Sequence, residues 1–333
     1  MAEALIAAGV SALLYHLGVG LPAFLIPLQV VLVRRGGKAY LVSAAAARAA
    51  IAGVRLALGA GQLAGAAAPL AVLELGMVVG LIAGLAWVQL PELLGRGDRN
   101  AAWRGGAQDR GQSRPPGGRV VRLLTAAAAV GLASVPLLMY LGRSEAFAAS
   151  LRTVFDAAAG VLNRFLAPEG LGLKGEDLAG MTRAVFLRSY LLDYLVLLTF
   201  SWWAGSLLGR RSLGMPPGIT RLARFRPPEA LIWPLIAGLA LVLLALVTPL
   251  GPLELAGWNL LLCMMFVYGL AGLGILRFIL ERFGAPRGMR VAAAVMLVVL
   301  AFAPAVNAVL AVLIPALGVS ETWINYRRIE RKA

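Results

Sequence analysis

The chain has one cysteine and one histidine, and this scarcity excludes several kinds of chemistry. Cys263 alone can form neither an internal disulfide nor a cysteine metal cluster. With His16 as the single imidazole and no pair of aspartates in the apolar spans, the chain lacks the parts of a nucleophilic triad or a metal hydrolase. We therefore predict that the protein is not an enzyme and uses no cofactor.

Charged residues are also scarce, at 14% of the chain, whereas 60% of the 333 residues are hydrophobic and the mean hydropathy is +0.82. A soluble domain carries about 25% charged residues. Several apolar runs exceed the roughly 18–20 residues that a helix needs to cross a bilayer. The composition predicts an all-α, polytopic bundle of transmembrane helices. The lipid bilayer is therefore a predicted partner.

The basic residues outnumber the acidic ones by 31 to 16, but their positions argue against nucleic-acid binding. They cluster beside apolar segments, as the positive-inside rule expects of cytoplasmic loops. The clusters lie at 34–38, 96–119, 210–226, 282–290 and 327–332. This pattern places both termini in the cytoplasm and predicts no nucleic-acid partner.

We predict one integral membrane domain over 1–333, with about eight to ten membrane segments. Short hairpins at 4–33 and 290–319, the latter divided at Pro304, either cross fully or are re-entrant. The loops 93–119 and 209–228 are polar and cytoplasmic. An amphipathic segment at 143–184 lies outside the membrane, where it packs at the interface or acts as a moving lid.

A helical hairpin at 40–60 and 66–90 carries charge where hydrocarbon makes charge costly. Counted from the turn at 59–62, Arg55 and Glu74 lie about 10–12 Å below the same membrane surface, at about 1.5 Å per residue. Opposite charges at one depth on neighbouring helices are most simply an ion pair. Arg48 lies nearer the middle of the membrane, where it either pairs with Asp193 or reaches a cavity.

Most of the other polar residues in the spans also fall in the outer half of the membrane, which predicts a ligand site there. The predicted site residues are Arg48, Arg55, Glu74, Asp193, Asn259 and Asn307. The alternative is structural: an ion pair that sets the helix register, with asparagines joining helices. His16 fits an interfacial position better than a ligand or proton relay.

Small residues at helical spacing predict close helix packing at three places. They are Ala4, Ala8 and Ala12; Gly76, Gly80 and Gly84; and the run 269–274. The last run is no nucleotide-binding loop, since no strand precedes it. Without a phosphate-binding loop the chain cannot itself use a nucleotide to drive transport, so any active transport would need a partner or an ion gradient.

Four motifs, in this order, resemble the YybS-like bacterial membrane family, a domain of unknown function (2232). They are Phe225-Arg226-Pro227-Pro228, Trp258-Asn259-Leu260-Leu261, Tyr268-Gly269-Leu270-Ala271, and the stretch from Leu317 through Glu321-Thr322-Trp323 to Arg328. That family usually carries an aspartate near the position of Glu321. The resemblance implies a multi-pass protein of the bacterial cytoplasmic membrane.

The family looks distantly similar to the substrate-capturing subunits of energy-coupling-factor vitamin transporters. This likeness implies small-molecule binding or a transport-associated role, with a transporter module or another membrane partner. It also implies that the ridge at Ala4, Ala8 and Ala12 docks that partner. The alternative function is a membrane scaffold that recruits partners through its basic loops without transporting anything.

Overall fold

A computed structural model describes residues 1–17, 23–59, 68–89, 117–141, 143–166, 175–214, 222–301, 303 and 306–327. Within these ranges every regular element is helical and none is a strand, which confirms the all-α prediction. The α-helices are α1 (Ala2–His16), α2 (Leu25–Arg35), α3 (Gly37–Gly59), α4 (Ala68–Val88), α5 (Gly117–Leu141), α6 (Glu145–Leu166), α7 (Gly175–Arg211), α8 (Ile232–Ala245), α9 (Pro252–Arg282), α10 (Arg287–Ala301) and α11 (Val306–Ser320). Most of the predicted loop 93–119 lies outside the described residues.

The helices pack into two compact units. Unit 1 comprises Met1–Asp109 and Arg122–Ile219, and unit 2 comprises Arg110–Val121 and Thr220–Ala333. Unit 1 holds α1–α4, α6, α7 and most of α5, whereas unit 2 holds α8–α11. This division does not test the prediction of one membrane domain over 1–333, which stays a prediction.

Helix α2 is enclosed within unit 1 although it has only 11 residues. It contacts α1, α3 and α7. The buried Gln29 side chain donates a hydrogen bond to Ser206 Oγ of α7 over 2.9 Å. At Gly205 and Gly209 the backbone of α7 comes so close that a side chain there would collide with Gln29 and Val33. A helix of this length spans about 16 Å, less than the roughly 30 Å thickness of a bilayer core.

The alanine ridge of α1 is not available to a partner. Ala4, Ala8 and Ala12 are buried within unit 1, on the helix that contacts α2 and α3. The implied docking role of this ridge is therefore wrong. Small side chains let α1 approach its own neighbours, and that packing already uses the ridge.

The glycine ridge of α4 packs as the sequence predicts at two of its three members. An added side chain at Gly80 would meet Tyr194 of α7, and one at Gly84 would meet Leu198 of α7 at 3.1 Å. Gly76, the first member of the ridge, is exposed. The close approach of α4 to α7 therefore depends on the second and third glycines.

The sequence Ser144-Glu145 favours the start of a helix, and α6 begins at Glu145, where the amide of Phe147 donates to Ser144 Oγ at 3.4 Å. Beyond it, the sequence predicts a short helix from Glu176 and a separate crossing at 185–208. The structure instead has one continuous helix, α7, from Gly175 to Arg211. Gly180 does not interrupt it, since a single helical glycine costs only about 1 kcal/mol.

Unit 2 is held together by helix crossings at glycine. Gly251, with φ +55°, leads into α9, which turns back along α8, and Gly238 lies against the backbone of Leu261. Further along α9, an added side chain at Gly272 would collide with the backbone of Ile314, and one at Gly318 with that of Tyr268. The run 269–274 therefore serves helix packing, as predicted.

The last apolar stretch is divided as the sequence predicts. Helix α10 ends at Ala301 and α11 begins at Val306, so the break falls at the predicted place. Pro304 itself lies outside the described residues.

The apolar surface matches a membrane environment. Two described helices, Ala179–Arg211 and Pro252–Arg282, are long and apolar enough to cross a bilayer. Helix α10 has no buried residue, and it exposes a band of large apolar side chains that hydrocarbon would accept. They include Val291, Val295, Val298 and Val299. The predicted total of eight to ten segments stays a prediction.

The crossing of α9 and α11 leads to a test by substitution. Gly318→Ala should lower the free energy of unfolding by about 1–3 kcal/mol, because the new methyl group meets backbone that cannot rotate away. Gly288→Ala on α10 is the matched control, since nothing lies within 4 Å of its added carbon. Thermal unfolding in detergent measures both. Equal midpoints for the two variants would contradict this packing.

Candidate functional site

Three helices of unit 1 meet at a polar cluster formed by Tyr15 of α1, Arg55 of α3 and Glu74 of α4. The Arg55 guanidinium forms an ion pair with Glu74 Oε1. The Tyr15 hydroxyl donates a hydrogen bond to the same carboxylate oxygen. The predicted pairing of Arg55 with Glu74 is therefore confirmed.

Arg55 and Glu74 lie at similar depths below the ends of their helices. Arg55 is four residues before the end of α3, and Glu74 is six residues after the start of α4. At about 1.5 Å per residue these positions are roughly 6–9 Å from the helix ends. The predicted 10–12 Å is counted from the turn at 59–62, most of which lies outside the described residues.

The cluster is open rather than sealed. The side chain of Arg55 is 50% exposed and that of Glu74 is 30% exposed. Few backbone positions of α3 lie close to α4. The contact between the Arg55 and Glu74 side chains is therefore the main link between these helices near the cluster. An ion pair with this access to its surroundings retains hydrogen-bonding capacity for a third group.

Tyr15 is the member that the sequence analysis missed. It extends the buried face of α1 that includes Ala4, Ala8 and Ala12. The neighbouring His16 is half-buried, and its ring packs edge to face against Tyr15 with centroids 5.5 Å apart. Helical periodicity would have placed Tyr15 on that inner face, but nothing in the sequence pairs it with Glu74.

The predicted partners Arg48 and Asp193 do not join this cluster. Both side chains are exposed, and no ion pair links them within the described part of the chain. Asp193 instead accepts a hydrogen bond from Ser189, one turn earlier on its own helix, at 3.4 Å. The Arg48–Asp193 alternative is therefore wrong, because α3 and α7 are not packed neighbours.

The two predicted asparagines belong to unit 2. Asn259 is buried and donates to the Leu255 carbonyl of its own helix at 2.9 Å. Asn307 is exposed, and its side-chain oxygen accepts from the Ala308 amide at 2.6 Å. Of the six predicted site residues, the structure thus joins Arg55 and Glu74. The proposed ligand role of all six stays a prediction.

A second ionic cluster lies in unit 2 just after α11. Glu321 pairs with Arg327 at 3.0 Å and with Arg226 at 3.3 Å. The side chains of Glu321 and Arg327 are each only 6% exposed, whereas that of Arg226 is 45% exposed. Burial raises the pKa of the Glu321 carboxyl, and the two guanidinium groups act in the opposite direction.

Arg327 ties distant parts of unit 2 together. Its guanidinium donates to the Phe225 carbonyl at 2.9 Å and to the Ala271 carbonyl of α9 at 3.3 Å. Three of the four motifs that carry the family resemblance therefore meet at one side chain: those beginning at Phe225, Tyr268 and Leu317. The motifs are visible in the sequence, but sequence spacing cannot show that they meet.

The stretch of the chain that matches a known protein family begins within α7 and ends within α11. Residues 190–313 match the family described as "Predicted membrane protein (DUF2232)". This match supports the membrane assignment and includes the motifs at Phe225, Trp258 and Tyr268, but it ends before Glu321. No curated protein and no solved structure matches the chain significantly.

The raised pKa of Glu321 predicts a pH dependence of stability. The folded protein holds this proton more tightly than the unfolded chain, whose carboxyl has a reference pKa of 4.5. The stabilisation is therefore complete below that value and is lost as pH rises through the folded pKa. Across this window, the thermal midpoint of the wild type should fall relative to that of Glu321→Gln.

Glu229→Gln removes an exposed carboxylate from the same unit and is the matched control. Its midpoint should keep a constant difference from the wild type over the same window. A wild-type midpoint that rises relative to Glu321→Gln would mean that pairing with Arg226 and Arg327 outweighs burial of the carboxylate.

Proposed function

We propose that this membrane protein binds a small polar molecule at the cluster of Tyr15, Arg55 and Glu74, in a transport-associated role. The observation that carries the proposal is a partly exposed ion pair in which Glu74 is the one charged residue of the apolar helix α4. Charge within membrane spans is costly and usually functional.

The chemistry of the three side chains defines the class of ligand. Arg55 offers planar donors that suit a carboxylate or another oxyanion. Glu74 and Tyr15 offer acceptor and hydroxyl groups for an amine or a hydroxyl of the ligand. A small zwitterion, or a compound with an acid and a hydroxyl group, would match both halves of the cluster.

The transport-associated role draws on the resemblance to substrate-capturing transporter subunits. In this proposal the protein lies in the bacterial cytoplasmic membrane with eight to ten segments and cytoplasmic termini. The cluster then opens toward the exterior, and a transporter module or an ion gradient supplies energy. The described helices contain no group of three or more residues suited to hold a metal ion.

Co-purification tests the proposal directly. Small molecules that co-purify with the protein in mild detergent can be extracted and identified by mass spectrometry. Arg55→Gln should reduce the amount of bound compound about tenfold, since a charge-assisted hydrogen bond contributes roughly 1.5–3 kcal/mol. The exchanged pair Arg55→Glu with Glu74→Arg should keep the ion pair and the fold but lose the compound, because the charges are reversed.

The matched control is Glu3→Gln with Arg35→Gln. It removes the ion pairs that Glu3 of α1 forms at the end of α2, with Arg35 at 2.7 Å and with Arg34 at 2.5 Å, away from the cluster. The control should retain the compound at the wild-type level. Retention of the compound by the exchanged pair, or its absence from the wild type, would contradict the proposal and favour the scaffold function.

The proposed topology predicts which side of the membrane each segment faces. In a Cys263→Ala background, Thr153→Cys on α6 should react with a membrane-impermeant maleimide in intact cells. Ser212→Cys, just after α7, should react only after permeabilisation, since the topology places it in the cytoplasm. Both positions are exposed in the structure, so access within the protein does not limit labelling. The reverse labelling pattern would refute this orientation.

A further inference from the structure

Unit 2 contains a cavity of about 770 Å³ that is lined mainly by arginine. Arg224, Arg226, Arg282 and Arg327 contribute to its wall, together with Phe278 and Glu281. The volume lies within the roughly 300–1,000 Å³ that is usual for small-molecule sites. All of these side chains come from the short turn after 221, the end of α9 and the tail after α11.

Positive charge exceeds negative charge around the cavity. Glu281 is the acidic residue of its wall, and this carboxylate is shared with Arg277 at 3.0 Å and Arg290 at 3.3 Å. Among the described residues, the charged groups of the wall and their ion-pair partners, Glu321 included, are six arginines and two glutamates. The end of α9 adds only about half a negative charge. The excess favours an anion.

The arginines of the wall differ in how many ion pairs and hydrogen bonds they already form within unit 2. Arg327 is held by Glu321 and two backbone carbonyls, so it forms a fixed part of the wall. Arg224 is exposed, and no residue in the described part of the chain pairs with it. A guanidinium group that faces a concave surface without an acidic partner is suited to receive an oxyanion.

We propose that this cavity binds a phosphate-bearing anion, with Arg224 and Arg226 as its principal contacts. Phosphate oxygens accept the paired N–H donors of arginine. The same chemistry occurs in the headgroup of an anionic phospholipid and in a free phosphate compound. The arginine-lined wall at the end of an apolar helix is compatible with either source, and Phe278 offers an apolar surface beside it.

Two probes distinguish the sources. Phosphatidylglycerol is offered in nanodiscs and compared with phosphatidylcholine by native mass spectrometry of retained lipid. Inorganic pyrophosphate is titrated calorimetrically into the full-length protein in neutral detergent. Binding of phosphatidylglycerol alone assigns a lipid headgroup to the cavity, and binding of pyrophosphate alone assigns a free phosphate compound. Either result supports the proposal when the variants below respond as expected.

Three variants test the location of the site. Arg224→Gln should weaken binding about tenfold, which corresponds to roughly 1.4 kcal/mol. Glu281→Gln should strengthen binding severalfold, because it removes the acidic group of the wall and releases Arg277 and Arg290. Arg287→Gln is the matched control, since it removes an exposed arginine from the same unit outside the cavity wall.

Arg224→Gln is expected to weaken binding and Glu281→Gln to strengthen it. Loss of the fold would weaken binding in both variants, so unfolding cannot produce the expected result. If Glu281→Gln does not fold, the comparison of Arg224→Gln with Arg287→Gln decides the result, since both change exposed side chains. Equal weakening in these two variants would show a general surface-charge effect and overturn the proposal. A wild type that binds neither phosphatidylglycerol nor pyrophosphate would overturn it as well.

Discussion

Close approach of helix backbones is the constraint on which unit 2 depends. At Gly272 and Gly318 the backbones of α9 and α11 are so near that even a methyl group would collide with a carbonyl. Lipid chains are as apolar as leucine, so helices in a membrane gain little by burying apolar surface against one another. They gain instead from dense packing and polar contacts, and small residues make both available.

The ionic cluster of unit 2 follows from this approach. Because α11 crosses α9 near Tyr268 and Gly272, the tail after Ser320 returns to the level of Ala271. There Arg327 reaches a carbonyl of α9 and a carbonyl near the start of the unit. A bulkier residue at Gly274 would meet the Leu222 backbone and Arg327 together. The glycines thus determine where the charged groups can meet.

Helical periodicity and charge predicted much of the fold but little of its assembly. Local residue patterns predict the break near Pro304 and the start of α6 at Glu145. Counting residues along the hairpin predicts the pairing of Arg55 with Glu74. Sequence spacing cannot show which helices are neighbours. The predicted link between Arg48 and Asp193 is wrong for that reason, and the contact of Tyr15 with Glu74 was missed for the same reason.

The two ionic clusters differ in burial, and the different roles proposed for them rest on this difference. Glu321 and Arg327 are almost wholly enclosed, so breaking that pair would leave a charge in a site with little water, and their role is structural. Arg55 and Glu74 remain partly exposed, so their charges can be shared with a molecule that enters from outside the packed helices. The same distinction applies within the arginine-lined cavity of unit 2. Arg327 is enclosed and shapes the wall, whereas Arg224 is exposed, which is why the proposed anion site assigns it a principal contact.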